Sequence, residues 1–218
     1  NITTTDDSIG GDDTITTGNG DDIAFGGTGT DYINVDHNDT LNDVTDDTNI
    51  ADNGNDILVG DSGNISFATT SNPNTLTTSN HSGGATDYIH SSVGKDILIG
   101  SIDADTLTSG TVSDTLSDPG VDNERDIIIG DQATVTFSTS SNGRFDTTTL
   151  TNVESDIDSI TIHGVDTITT GAGSDVIIAG AAGDTVMAGH GDNIVLGDNG
   201  DIIINQDQVL TSATSTDA

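Results

Sequence analysis

Residues Gly26–Asn34 read Gly-Gly-Thr-Gly-Thr-Asp-Tyr-Ile-Asn, and the organisation of the chain follows from that stretch. Its first half is a turn: glycine tolerates φ > 0, and small polar residues favour tight bends. Its last three residues carry one large apolar side chain between two others, which favours a very short strand. The pattern recurs in phase. Asp13, Asp22 and Asp31 are nine residues apart, with Asp39 eight further on; Asp87, Asp96, Asp105 and Asp114 keep the same spacing, as do Asp166, Asp175 and Asp184, after which Asn193 takes the next slot. Two residues after most of these stands an apolar side chain, among them Ile15, Ile33, Ile89, Leu98, Leu107, Ile168, Ile177, Val186 and Val195, with Ala24 the weak member. A turn and a short strand cannot bury a face alone. Stacked copies can, and a solenoid with a thin continuous core is the expectation.

Composition narrows the classes. The 218 residues carry 37 acidic and three basic side chains, a net charge of −34, and only 31% of them are hydrophobic. Such a polyanion repels nucleic acid. No run of 18 apolar residues exists to cross a membrane as a helix. Cysteine is absent, which removes disulfides and thiolate metal sites. Composition of this kind also suits a disordered chain, but the regular spacing argues for order. The chain opens on Asn1 without a signal peptide and reads as a fragment of a longer protein.

With Gly26–Asn34 fitting GGxGxDxUx at every fixed position, and Thr17–Phe25 and Thr170–Ile178 close to it, the chain resembles the RTX family of haemolysin-type calcium-binding nonapeptide repeats. The resemblance implies a right-handed parallel β-roll, or β-solenoid, with two nonapeptides per coil. Residues 18 apart would then stack: Asp13 on Asp31, Asp87 on Asp105, Asp96 on Asp114, and Asp166 on Asp184. It also implies multiple Ca²⁺ ions. The expected ligands are Asp13, Asp22, Asp31, Asp39, Asp56, Asp87, Asp96, Asp105, Asp114, Asp126, Asp166, Asp175, Asp184 and Asn193. Carbonyls of the preceding loop, such as those of Gly18, Gly20, Gly27, Gly29, Gly171 and Gly173, complete the set. The chemistry agrees: carboxylates stacked about 4.8 Å apart repel without a cation, and Ca²⁺ accepts six to eight oxygens from flexible loops where Mg²⁺ demands a tighter octahedron.

A longer period overlies the first. Ile57-Leu58-Val59-Gly60-Asp61 returns as Ile127-Ile128-Ile129-Gly130-Asp131 and as Ile194-Val195-Leu196-Gly197-Asp198. After each comes a strand-like run without the Asp beat, and turn signals follow at Ser71–Asn74 and Asn142-Gly143. Three units are expected. Unit one is 1–80, with nonapeptides over 8–59 and a lateral hairpin over 60–80. Unit two is 81–155, with nonapeptides over 82–129 and a hairpin over 130–155. Unit three is 156–218, with nonapeptides over 161–200 and a partial hairpin over 201–218. Asn42–Ala51 and Ser117–Val121 read as loops inserted between coils.

No catalytic residue is expected. Gly60-Asp61-Ser62-Gly63 resembles the nucleophile motif of trypsin-like proteases, but its counterparts Gly130-Asp131-Gln132-Ala133 and Gly197-Asp198-Asn199-Gly200 lack serine, which marks a variable turn. The five histidines have no HExxH spacing. Pairs such as Asp12/Asp13 could imitate glycosidase acids, but they recur, whereas an active site is single.

The sequence therefore suggests a non-enzymatic structural segment (fibre, adhesin spacer or surface layer) of a large bacterial protein. The family resemblance implies type I secretion and folding on extracellular Ca²⁺. Partners would be further repeats or copies end to end, with a possible surface glycan contact, but neither nucleic acid nor an inserted membrane. Two alternatives are the C-terminal part of a secreted enzyme or toxin, and an ice- or polysaccharide-binding solenoid. The latter needs a flat threonine face, whereas the Thr3–Thr5 and Thr147–Thr149 runs sit in the hairpin tails.

Overall fold

The computed structural model describes residues 2–5, 9–35, 54–67, 73–78, 84–110, 122–138, 149–155 and 163–216. Among these there is no α-helix; 19 short strands form three sheets.

Two sheets are parallel and six-stranded, and the chain alternates between them. The first contains β2 (Thr14–Ile15), β4 (Tyr32–Ile33), β8 (Tyr88–His90), β10 (Thr106–Thr108), β14 (Thr167–Thr169) and β16 (Thr185–Met187). The second contains β3 (Ile23–Phe25), β5 (Ile57–Val59), β9 (Ile97–Ser101), β11 (Ile127–Asp131), β15 (Val176–Ile178) and β17 (Ile194–Leu196). Register is kept from coil to coil: Ile33, Ile89, Leu107, Ile168 and Val186 align across one sheet, and Ala24, Leu58, Leu98, Ile128, Ile177 and Val195 across the other. These residues face each other and, Val186 and Val195 apart, form the inner core of a parallel β-roll, with Ile15 and Val186 at its margin. The apolar position two residues after the aspartate is thus the core position expected from the sequence.

The hairpins form a third layer. β1 (Ile2–Thr3), β6 (Gly63–Phe67), β7 (Pro73–Thr78), β12 (Ala133–Phe137), β13 (Leu150–Ser155), β18 (Gly200–Ile204) and β19 (Leu210–Ser215) make one seven-stranded antiparallel sheet in that order. Each hairpin pairs with the next, β7 with β12 and β13 with β18. Ile65, Leu76, Val135, Phe137, Leu150, Val153, Ile202 and Ile204 pack against Ile57, Val59, Ile97, Ile99, Ile127, Ile129, Val176 and Ile178 as a second core. Strands of the second parallel sheet are therefore covered on both faces, which is why they are apolar at successive positions. Leaving one such isoleucine in water would cost about 1.5–3 kcal/mol.

Among the described residues, the first parallel sheet is covered on one face only and alternates accordingly. Its outward positions align Tyr32 with Tyr88, then Thr106, Thr167 and Thr185; Thr108 aligns with Thr169. The two tyrosine rings stack with centroids 5.0 Å apart and planes at 16°. A regular threonine row therefore does exist on the nine-residue beat.

Candidate metal centre

Two columns of aspartates run along the roll, one at each edge where the chain turns between the parallel sheets. In both, each aspartate's backbone N–H donates to Oδ1 of its counterpart in the following coil. The first column is Asp13 to Asp31 (2.8 Å), Asp31 to Asp87 (2.8 Å), Asp87 to Asp105 (2.8 Å), Asp105 to Asp166 (2.8 Å) and Asp166 to Asp184 (2.9 Å). The second is Asp22 to Asp56 (2.8 Å), Asp56 to Asp96 (2.8 Å), Asp96 to Asp126 (2.9 Å), Asp126 to Asp175 (3.1 Å) and Asp175 to Asn193 (2.9 Å).

Three of the four expected stackings are present. The fourth is corrected: Asp96 stacks on Asp126, 30 residues on, and not on Asp114. The inserted segment between them breaks the 18-residue count without breaking the column. Asp39 and Asp114 lie outside the described residues; Asp22 pairs directly with Asp56 and Asp96 directly with Asp126.

Loop carbonyls complete the oxygen surface. Gly18, Gly20, Gly27 and Gly29 take φ of 86°, 124°, 111° and 127°, the left-handed region in which glycine costs least. In the corresponding places of one loop stand Ser101 (φ 95°) and Asp103 (φ 70°). Other glycines are required by space. A Cβ on Gly54 would strike the carbonyl of Gly20, one on Gly189 that of Gly171, and one on Gly191 that of Gly173. At the first column, a Cβ on Gly26, Gly60, Gly100 or Gly130 would strike Oδ2 of Asp31, Asp87, Asp105 or Asp166 and the carbonyl of the next coil. Carboxylate, glycine and carbonyl are thus packed face to face, rung after rung.

The first column gives the test of fit. Oδ2 of Asp31, Asp87, Asp105, Asp166 and Asp184 is buried and accepts no hydrogen bond. A buried polar atom without a partner costs about 1–3 kcal/mol, and more when charged. Burial pushes Asp87 up to about 9, Asp166 to about 7 and Asp31 to about 6. Burial, then the carboxylates of Asp87 and Asp166, holds Asp105 well above the ordinary range. In the second column burial and the neighbouring Asp96 and Asp122 do the same to Asp126. Lined-up carboxylate oxygens beside a row of carbonyls suit a hard cation that takes oxygen ligands only.

Carboxylates off the nine-residue beat join these columns. Oxygens of Asp122, Asp96 and Asp126 all lie within 4.8 Å of one another, and all three residues are buried. Asp61 and Asp131 are buried beside the first column. Their signal in the sequence is the recurrence of aspartate after Ile-x-x-Gly, off the nine-residue beat.

The RTX calcium-binding nonapeptide repeat matches the chain in four copies, over residues 8–36, 45–64, 81–116 and 169–201, together just over half of it. The chain belongs to that family and is a calcium-binding repeat segment. No curated protein sequence matches it significantly.

The raised carboxylates set the pH behaviour of the calcium-free chain. An unfolded aspartate titrates near 3.8, and those in the fold titrate higher, at about 6 to 9 for Asp31, Asp166 and Asp87. Below the unfolded value both states are neutral and no penalty exists; as pH rises through the folded values, the fold must carry charges that the coil solvates freely. In chelator, acidification from pH 7.5 to 4 is therefore expected to recover part of the β-sheet circular dichroism. A chelated chain that loses β signal on acidification would contradict this assignment.

Proposed function

We propose that the chain is a structural spacer of a secreted or cell-surface bacterial protein, held rigid by several Ca²⁺ ions and without catalytic activity. The observation that carries the reading is the pair of continuous carboxylate columns. Coil after coil presents a column carboxylate or, at the last rung, the Asn193 amide, so the molecule repeats a metal-dependent scaffold along its axis, whereas catalysis calls for one distinct geometry. Low cytosolic Ca²⁺ would leave the polyanion extended for export, a type I route in keeping with the family, and millimolar Ca²⁺ outside would drive folding.

The end coils support association along the axis. Among the described residues, β2 and β3 at one end and β16 and β17 at the other pair on one side only. Met187 and Val195 in those last strands are 45% and 42% exposed. An unpaired edge accepts further strands, from more coils of the same protein or from a second copy. Light scattering and electron microscopy in millimolar Ca²⁺ test this. Rods that lengthen with concentration are expected; a monodisperse monomer at high concentration would count against self-association.

A second reading rests on the outer face of the first parallel sheet, where stacked Tyr32 and Tyr88 adjoin the Thr106–Thr167–Thr185 row. Such a flat hydroxyl and aromatic surface suits a polysaccharide. Affinity electrophoresis in polysaccharide gels would show retardation that Tyr88→Ala abolishes; equal mobility of the two proteins would remove this reading.

A further inference from the structure

Each lateral hairpin interrupts a loop of the first column, and the point of interruption has its own chemistry. Counting the column aspartate as loop residue six, residue two is Gly27 or Gly180 in intact loops, with φ of 111° and 109°, and Ser101 in a third. Where a hairpin leaves the roll, residue two is Asp61, Asp131 or Asp198. In the second column the chain leaves after Gly110 (φ 93°), and Asp122 stands on the far side of residues 111–121, four before Asp126, where the intact loops have Gly18, Ser92, Gly171 and Gly189. Turn preference alone does not explain an aspartate at each hairpin root where the intact loops have glycine or serine.

The geometry at the two enclosed roots is the same. Asp61 is 5% and Asp131 2% exposed. One oxygen of each reaches the next coil: Asp61 Oδ2 accepts from the Ile102 N–H at 3.0 Å, and Asp131 Oδ2 accepts from the Ala181 N–H at 2.5 Å. His163 Nδ1 lies 3.4 Å from Asp131 Oδ2. The other oxygen, Oδ1 in both, is buried without a hydrogen-bond partner. Oδ2 of the column aspartates closing the same two loops, Asp87 and Asp166, is equally unpartnered. At Asp122 the corresponding carboxylate lies with Asp96 and Asp126 in one three-oxygen cluster. On the last coil, where no further coil covers it, Asp198 is exposed.

We propose that Asp61 and Asp131 are additional Ca²⁺ ligands that close the ion sites where the hairpins interrupt their loops. The insertion separates the first two loop residues from the rest, and a carboxylate at the break restores an anionic donor that spans it. Calcium thereby fixes the roots of the hairpins, and with them the third sheet, as well as the coils. The proposal rests on calcium binding by the columns.

The test is Ca²⁺ titration of the full chain and of Asp61→Asn/Asp131→Asn by calorimetry and equilibrium dialysis, with amide hydrogen exchange as a second readout. Asparagine keeps an oxygen for the Ile102 and Ala181 amides and removes the charge, so a purely structural role would leave ion affinity intact. The expected result is at least a tenfold rise in the Ca²⁺ concentration needed to fill the affected sites, with the remaining sites unchanged and faster exchange in β6 and β12 at intermediate Ca²⁺. An isotherm within twofold of the parent chain would overturn the proposal. Should the double variant fail to fold in millimolar Ca²⁺, Asp61→Gly, which installs the residue of an intact loop, decides by the same twofold criterion. If the parent chain itself binds no Ca²⁺, the columns fail as sites; if the parent binds and the variants match it, only the root ligands fail.

Discussion

Removal of calcium should convert this chain from β-sheet to coil. Asp61 and Asp166 titrate at about 7 in the calcium-free fold against 3.8 in the coil. At about 1.36 kcal/mol per pKa unit, holding either charged at neutral pH costs roughly 4 kcal/mol. Two such groups consume most of the 5–15 kcal/mol that separates a typical folded domain from its unfolded state, and the columns contain several more. The net charge of −34 adds repulsion over the whole surface. Bound dications reverse both effects. The far-ultraviolet circular dichroism in chelator should be that of coil at pH 7.5, turning cooperatively to strand as Ca²⁺ is added, with Mg²⁺ a poor substitute. A β spectrum indifferent to chelator would refute calcium-dependent folding.

Gly100→Ala should be among the most damaging single substitutions in the protein. The added methyl would overlap Asp105 Oδ2 and lie 2.6 Å from the Gly130 carbonyl. Neither can retreat: Asp105 Oδ1 already accepts from the Asp87 amide at 2.8 Å, and Gly130 lies within the buried strand β11. Overpacking of this sort costs about 3 kcal/mol, which in a chain of this size lowers Tm by roughly 6–12 °C. Gly197→Ala is the control, since nothing lies within 4 Å of its added Cβ. It should be neutral or slightly stabilising, because alanine restricts the unfolded chain. Thermal melts of both variants in saturating Ca²⁺ check this; equal shifts would show that the glycine column is not set by the carboxylates.

Local chemistry carried much of the architecture. The spacing of Asp13, Asp22 and Asp31, with Ile15 and Ile33 two residues beyond the first and last, implies a turn and a strand that bury one side chain per nonapeptide. Stacking is the arrangement that covers those side chains. Asp96 shows where that reading stopped. The period puts its partner at Asp114, 18 residues on, because sequence distance stands in for spatial distance. Once an inserted segment intervenes, only the closure of the coil brings Asp126 into that place.

The hairpins show the same division more fully. Their existence was legible in Gly60-Asp61 and Gly130-Asp131, where the beat stops and a strand-like run begins. Their association was not, since strand pairing between β7 and β12, or β13 and β18, joins segments of different units. A clue was present in Ile57-Leu58-Val59 and Ile127-Ile128-Ile129, apolar at successive positions where a strand covered on one face would alternate. Sequence alone determined the repeat, the inner core and the aspartate beat from which the columns are built, because each depends on contacts that recur with a fixed local period. Tertiary structure decided which aspartates share a column across the insertions, that the hairpins merge into a third sheet, and that Asp61 and Asp131 come to rest buried with an oxygen to spare. Those outcomes depend on where distant segments meet, and no local period encodes that.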